Sequence, residues 1–194
     1  MGLRARSVDG LVLDDGRSGR QRRQVWRVLR VVDHIIRRYC RIGILVDTNL
    51  LLLFVIGRFD RDRIVKFKNT QRYAPEDYDT VAVLIGEFDR LVTTPNILTE
   101  VSNLLGQLGE PIRSEALGFL CSDVLSLVDE RYIQTFEAAK VETFHRFGLA
   151  DTTTLVLARK AIPVLTDDFP LYENLTANGI DAINFNHVRM LGWS

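Results

Sequence analysis

From Gln21 to Tyr39, apolar side chains return every three or four positions, at Val25, Trp26, Val28, Leu29, Val32 and Ile36, while Arg22, Arg23, Arg27, Arg30, Arg37 and Arg38 fill most of the rest. That is the period of a helix with one apolar stripe, and it predicts a basic amphipathic helix within residues 21–41. Residues 1–20 hold four glycines and scattered charges with no apolar period, the pattern of a flexible tail. A domain over 42–194 then opens with the short apolar run Ile44-Leu45-Val46, closed by Asp47-Thr48-Asn49. The continuous apolar stretch Leu50 to Ile56 fits a buried helix stopped by Gly57, and the polar, aperiodic segment from Arg58 to Pro75 reads as a long loop.

Pro75 supplies a first-turn proline for a helix to about Phe88, and Arg90 to Thr94 is a second short strand. Thr94-Pro95 caps and starts a helix to about Leu108, and helical spacing fills Pro111 to Val128 and Gln134 to Phe147. Asp151 is placed to cap a helix through Lys160, followed by a third strand at Ile162 to Leu165. A short helix from Pro170 to Ala177 and an Asn178-Gly179 turn lead to a last strand, Ala182 to Phe185. Strands separated by helices require right-handed crossovers, so the expected fold is α/β, a three-layer α/β/α sandwich around a mainly parallel sheet.

Composition narrows the classes. A chain of 194 residues is long enough for one domain with a substantial core. Two cysteines, Cys40 and Cys121, are too few for a disulfide scaffold or a zinc finger, so a reducing, cytoplasmic setting is expected. No apolar run reaches the roughly 18 residues of a membrane span, and the arginine-bearing start lacks the apolar centre of a secretory signal. The 25 basic and 25 acidic side chains cancel, but unevenly: residues 1–43 hold eleven arginines and four aspartates, and residues 44–194 hold 14 basic and 21 acidic side chains. The basic helix is therefore either a docked helix with a solvated arginine face or a contact for a partner or a nucleic acid, the latter through Arg22, Arg23, Arg27 and Arg30.

Acids fall at strand ends twice, Asp47 after the first strand and Asp167-Asp168 after the third. In a parallel sheet those ends share one edge, where ligands bind. Glu100 lies at the rim of the apolar face of its helix, and Asp151 lies at a helix start, where free N–H groups favour negative charge. Taken singly, each is an ordinary cap, turn or surface residue. Together they conflict, because two carboxylates about 5 Å apart repel by about 3 kcal/mol at an effective dielectric near 20. Four converging acids call for protons or a cation, and an oxygen-only set suits Mg²⁺ or Mn²⁺. His34, His145 and His187 have no motif around them and read as structural.

The ordered motifs Ile44-Leu45-Val46-Asp47-Thr48-Asn49, Thr94-Pro95 with Glu100, Gly148-Leu149-Ala150-Asp151, and Val164-Leu165-Thr166-Asp167-Asp168-Phe169 resemble the PIN domain family of metal-dependent nucleases, including its VapC-type toxins. The resemblance spans about residues 42–187. It implies a Rossmann-like sandwich that hydrolyses phosphodiesters of RNA, with Asp47, Glu100, Asp151 and Asp168 as catalytic metal ligands and Asp167 in reserve. Thr48, Asn49 and Thr166 would orient those acids by hydrogen bonds. It further implies Mg²⁺ or Mn²⁺ as cofactor, homodimerisation and, for a toxin, an antitoxin protein as partner. The chain departs from compact members in the more than forty residues before the first strand and in the long helical stretch from Gly106 to Phe147.

Other readings remain open on the residues. A haloacid-dehalogenase-like phosphatase also places an aspartate after strand one, but its D-x-D-x-T pattern meets Asn49 and Leu51 here. A receiver domain needs its acidic pair after the first strand. A PIN-like module that binds RNA or protein without cleavage is the third alternative.

Overall fold

Five short segments, four of them mainly apolar, become three-residue strands: β1 (Ile44–Val46), β2 (Leu91–Thr93), β3 (Val128–Glu130), β4 (Val164–Thr166) and β5 (Ala182–Asn184). All pair in parallel, in the order β3-β2-β1-β4-β5. The computed structural model describes residues 19–191; the tail assigned to residues 1–20 lies almost entirely outside them. Around the sheet lie α1 (Gly19–Tyr39), α2 (Thr48–Phe59), α3 (Pro75–Gly86), α4 (Pro95–Leu105), α5 (Ile112–Phe119), α6 (Thr135–Ala139), α7 (Phe144–Ala158), α8 (Phe169–Ala177) and α9 (Phe185–Arg189). The result is a three-layer α/β/α sandwich. Strands β1, β2, β4 and β5 are buried throughout, as expected of a parallel sheet covered on both faces.

The chain runs outward from β1 through β2 to β3, then returns to the other side of β1 for β4 and β5. The order therefore reverses between β1 and β4, and their carboxyl ends flank a crevice.

Several expectations are corrected. Val128 to Glu130 is a strand, not the end of a helix; its partly exposed Val-Asp-Glu edge has too little apolar character to signal a strand. Upstream of it, α5 gives way to a short π-helical turn at Leu120–Val124. Gln134 to Phe147 is not one helix either, because α6 ends at Ala139 and α7 begins at Phe144. Asp151 is not an N-cap. Gly148 breaks α7 at φ 73°, ψ −170°, a left-handed conformation that glycine adopts without strain, and Asp151 lies in the first turn after that break.

Gly57 does not stop α2, which continues to Phe59. Its requirement is spatial: a Cβ there would stand 2.3 Å from the Tyr78 ring of α3, so the missing side chain lets the two helices approach. The loop after α2 is more ordered than its polar sequence suggests. It contains a 3₁₀ turn at Arg61–Arg63 and buries Ile64, Phe67, Thr70 and Tyr73.

The basic helix α1 is docked on the domain. Val32, Ile35, Ile36 and Tyr39 join the main core, and α1 packs against β5 and α9. At its end, Arg38 and Tyr39 reach Asp181, just before β5, with the Tyr39 hydroxyl donating at 2.7 Å. Nearer its start, Gln24 and Arg27 line a groove with Asn184 and His187, just at and after the end of β5. Thus α1 runs antiparallel to the strands, and its arginine-rich half lies at their carboxyl edge.

Candidate active site

The connection leaving β1 enters α2 at once, so Asp47 becomes the N-cap of α2 and accepts from the Leu50 amide at 3.0 Å. Its second oxygen accepts from the Thr166 hydroxyl and, at 3.1 Å, from the Asp167 amide. Two neighbouring strand ends are thereby tied together through one carboxylate. Asp47 is 5% exposed. Burial, followed by the charge of Asp167, raises its pKa from 3.8 to about 7, although the three hydrogen bonds pull the other way.

Just beyond β4, in the bend that leads into α8, two adjacent acids face different ways. Asp168 caps α8, accepting from the Leu171 amide at 2.8 Å, and faces the crevice. Asp167 points away. It accepts from the Tyr73 hydroxyl at 2.6 Å and Asn49 Nδ2 at 3.3 Å, and pairs with Arg72 at 2.9 Å. The backbone carbonyl of Asp167 accepts from Asn186 Nδ2 at 2.8 Å, so this residue braces the back of the site rather than lining it. The Tyr73 pKa is raised by burial and then by the adjacent Asp167, which keeps the phenol a donor.

Asp47, Glu100, Asp151 and Asp168 line one cleft of about 310 Å³, together with Thr48, Asn49, Asn103 and Leu104. Glu100 is solvent-exposed on α4 yet held, accepting from the Thr48 hydroxyl at 2.8 Å. Asp151 has no hydrogen-bond donor among the described residues. Burial, then the charges of Asp168 and Glu100, raise its pKa from 3.8 to about 6. No lysine, arginine or histidine lines the cleft, so nothing among the described side chains there neutralises the four acids.

That donor set fits a hard divalent cation: carboxylate oxygens, one of them without a partner among the described residues, with burial raising the pKa of both Asp47 and Asp151. Among the described residues, no group of three or more His, Cys, Asp or Glu side chains is already placed to hold an ion, so the acids share a cleft rather than a finished cage.

The cleft therefore collects the four acids singled out in the sequence, with Thr48 and Asn49 at its wall and Thr166 beneath Asp47. Arg23, Arg27 and Arg30 are exposed on α1 and do not line it. The side chain of Arg22 lies outside the described residues. Asn103 was missed, although it is one turn beyond Glu100 and so on the same helix face. Arg72, Tyr73 and Asn186 were missed as well. They come from a turn-rich segment and a five-residue helix with no periodicity, and only folding brings them to Asp167.

The candidate site rests on this geometry alone, since no protein-family model, curated protein or solved structure matches the chain.

Proposed function

We propose that the chain is a divalent-metal-dependent ribonuclease, with Asp47, Glu100, Asp151 and Asp168 as its metal-holding residues. One observation carries the reading. Four carboxylates from four separate elements line a single cleft at the reversal point of a parallel sheet, with no cationic side chain among them. A Mg²⁺ or Mn²⁺ ion bound there supplies Lewis-acid polarisation of a phosphodiester and activation of water.

The chain's own residues set that chemistry up. Thr166 and the Asp167 amide hold one oxygen of Asp47, and Leu50 N–H holds the other, so this carboxylate cannot swing out of the cleft. Thr48 fixes Glu100 across the opening. Arg72 and Tyr73 keep the charge of Asp167 satisfied outside the cleft, which leaves four carboxylates rather than five to be balanced by an ion. Exposed arginines on α1 offer phosphate contacts at the same edge of the sheet.

The test is cleavage of mixed RNA with Mg²⁺, with Mn²⁺ and with EDTA. Cleavage is expected with either metal and not with EDTA. Asp47→Asn should retain the wild-type circular dichroism spectrum and lose activity by more than about a hundredfold, above the loss typical of residues that merely orient ligands. Inertness toward every RNA, alongside hydrolysis of para-nitrophenyl phosphate, would favour a phosphatase and overturn the proposal.

A further inference from the structure

The acid cleft contains no cation to receive a phosphodiester chain, but the neighbouring groove does. It lies one strand over, beneath α1, with a volume of about 260 Å³. Asn184 ends the strand at its floor and is paired in register with Thr166, whose hydroxyl donates to Asp47 of the acid cleft, so both sites lie at the same carboxyl edge of the sheet.

Its lining combines two chemistries. Arg27 and Gln24 come from α1, and Arg23, Arg27 and Arg30 follow one another at helical spacing along an exposed stripe, without an ion pair among the described residues. Opposite them stand Tyr172 and His187, whose rings meet edge to face at 5.7 Å and 84°. Phe169, half-exposed and next in sequence to Asp168, lies 6.4 Å from Tyr172. An aromatic strip thus runs from an acid of the cleft to a groove whose guanidinium has no ion pair among the described residues.

We infer that this groove is a nucleotide subsite for single-stranded RNA, with Arg27 contacting a backbone phosphate and Tyr172 with His187 receiving an unstacked base. Proteins that hold single strands combine a positive track with aromatic platforms, because every base presents a π-face. Space for about one nucleotide excludes a duplex, whose bases are already stacked on one another. The subsite rests on the nuclease reading for its purpose, since it would hold the strand beside the bond that the acids act on.

Anisotropy of a short fluorescein-labelled oligoribonucleotide, measured in EDTA so that no cleavage intervenes, tests it on the full chain. Arg27→Glu should weaken binding of the single strand by about tenfold or more and reduce the slope of log K against log salt by about 0.7. Tyr172→Leu, which keeps apolar bulk against the core, should weaken it by about tenfold. Arg159→Glu, an exposed arginine at the opposite edge of the sheet, should have a much smaller effect. The same sequence as a duplex should bind more weakly than the single strand.

Binding by Arg27→Glu equal to wild type, a preference for duplex, or no RNA binding by the wild-type chain would each overturn the subsite. The two proposals separate cleanly. Metal-dependent cleavage lost in Asp47→Asn but unchanged in Arg27→Glu and Tyr172→Leu, with wild-type binding, removes the subsite and keeps the nuclease. Arg27-dependent binding without cleavage at any metal keeps the subsite and removes the nuclease.

Discussion

Asp151→Asn should make the metal-free protein more stable while removing a group its proposed chemistry needs. Asp151 is half-buried in the first turn after the Gly148 break, without a hydrogen-bond donor among the described residues. Its pKa stands at about 6 against 3.8, through burial and the charges of Asp168 and Glu100. At about 1.36 kcal/mol per pKa unit, ionising it in the folded chain costs about 3 kcal/mol more than in the unfolded chain.

Asparagine removes that cost but forfeits the favourable interaction of a negative charge with the helix start, about 0.3–1 kcal/mol. The net gain is about 2 kcal/mol near pH 7.5, or about 4–8 °C in Tm for a chain of this size. The sign follows from the raised folded pKa. As pH rises from 3.8 to about 6, the unfolded chain releases the Asp151 proton first, so wild-type stability falls through that window and levels off above it. The advantage of the variant should therefore be largest above pH 6 and vanish near pH 4. Thermal unfolding followed by circular dichroism in EDTA, from about pH 4 to about pH 8, measures it. Added Mg²⁺ should then narrow the gap by stabilising the wild type more, because a ligand bound to the folded state alone raises its stability by mass action. A variant no more stable than wild type near pH 7.5, or a gap that does not change with pH, would refute the electrostatic account of the cleft.

Two further expectations concern the frame around the site. Gly57→Ala should lower stability by about 1–3 kcal/mol in urea unfolding, because the clash with Tyr78 outweighs the roughly 1 kcal/mol by which alanine favours a helix; a stabilised variant would show that α2 and α3 can move apart freely. Tyr73→Phe should cost about 1.5–3 kcal/mol at neutral pH by removing the 2.6 Å bond to the Asp167 carboxylate, and an unchanged urea midpoint would show that Arg72 and Asn49 suffice to hold Asp167.

Much of this protein was legible without its fold. The stripe of α1, the apolar runs of β1, β2, β4 and β5, and the acids after β1 and β4 follow from periodicity and from the rule that parallel strands share a carboxyl edge. Local pattern also placed Glu100 beside an apolar helix face. It failed at Val128–Glu130 and within Gln134 to Phe147, where one helical period covers two helices. An edge strand needs few apolar residues, and the gap between Ala139 and Phe144 carries no glycine or proline to mark it.

Tertiary structure decided what no local pattern carries. Asp167 and Asp168 are adjacent and chemically identical, yet the bend after β4 sends one toward Arg72 and Tyr73 and the other into the cleft. Gly57 reads as a helix stop in sequence and is a contact point in space, because the Tyr78 ring that excludes a side chain lies on another helix. The arginines of α1 are a count in the sequence. Only the antiparallel packing of α1 across β5 puts Arg27 at the sheet edge where the acids gather, since chain direction relative to the strands is set by the whole core and not by the helix itself.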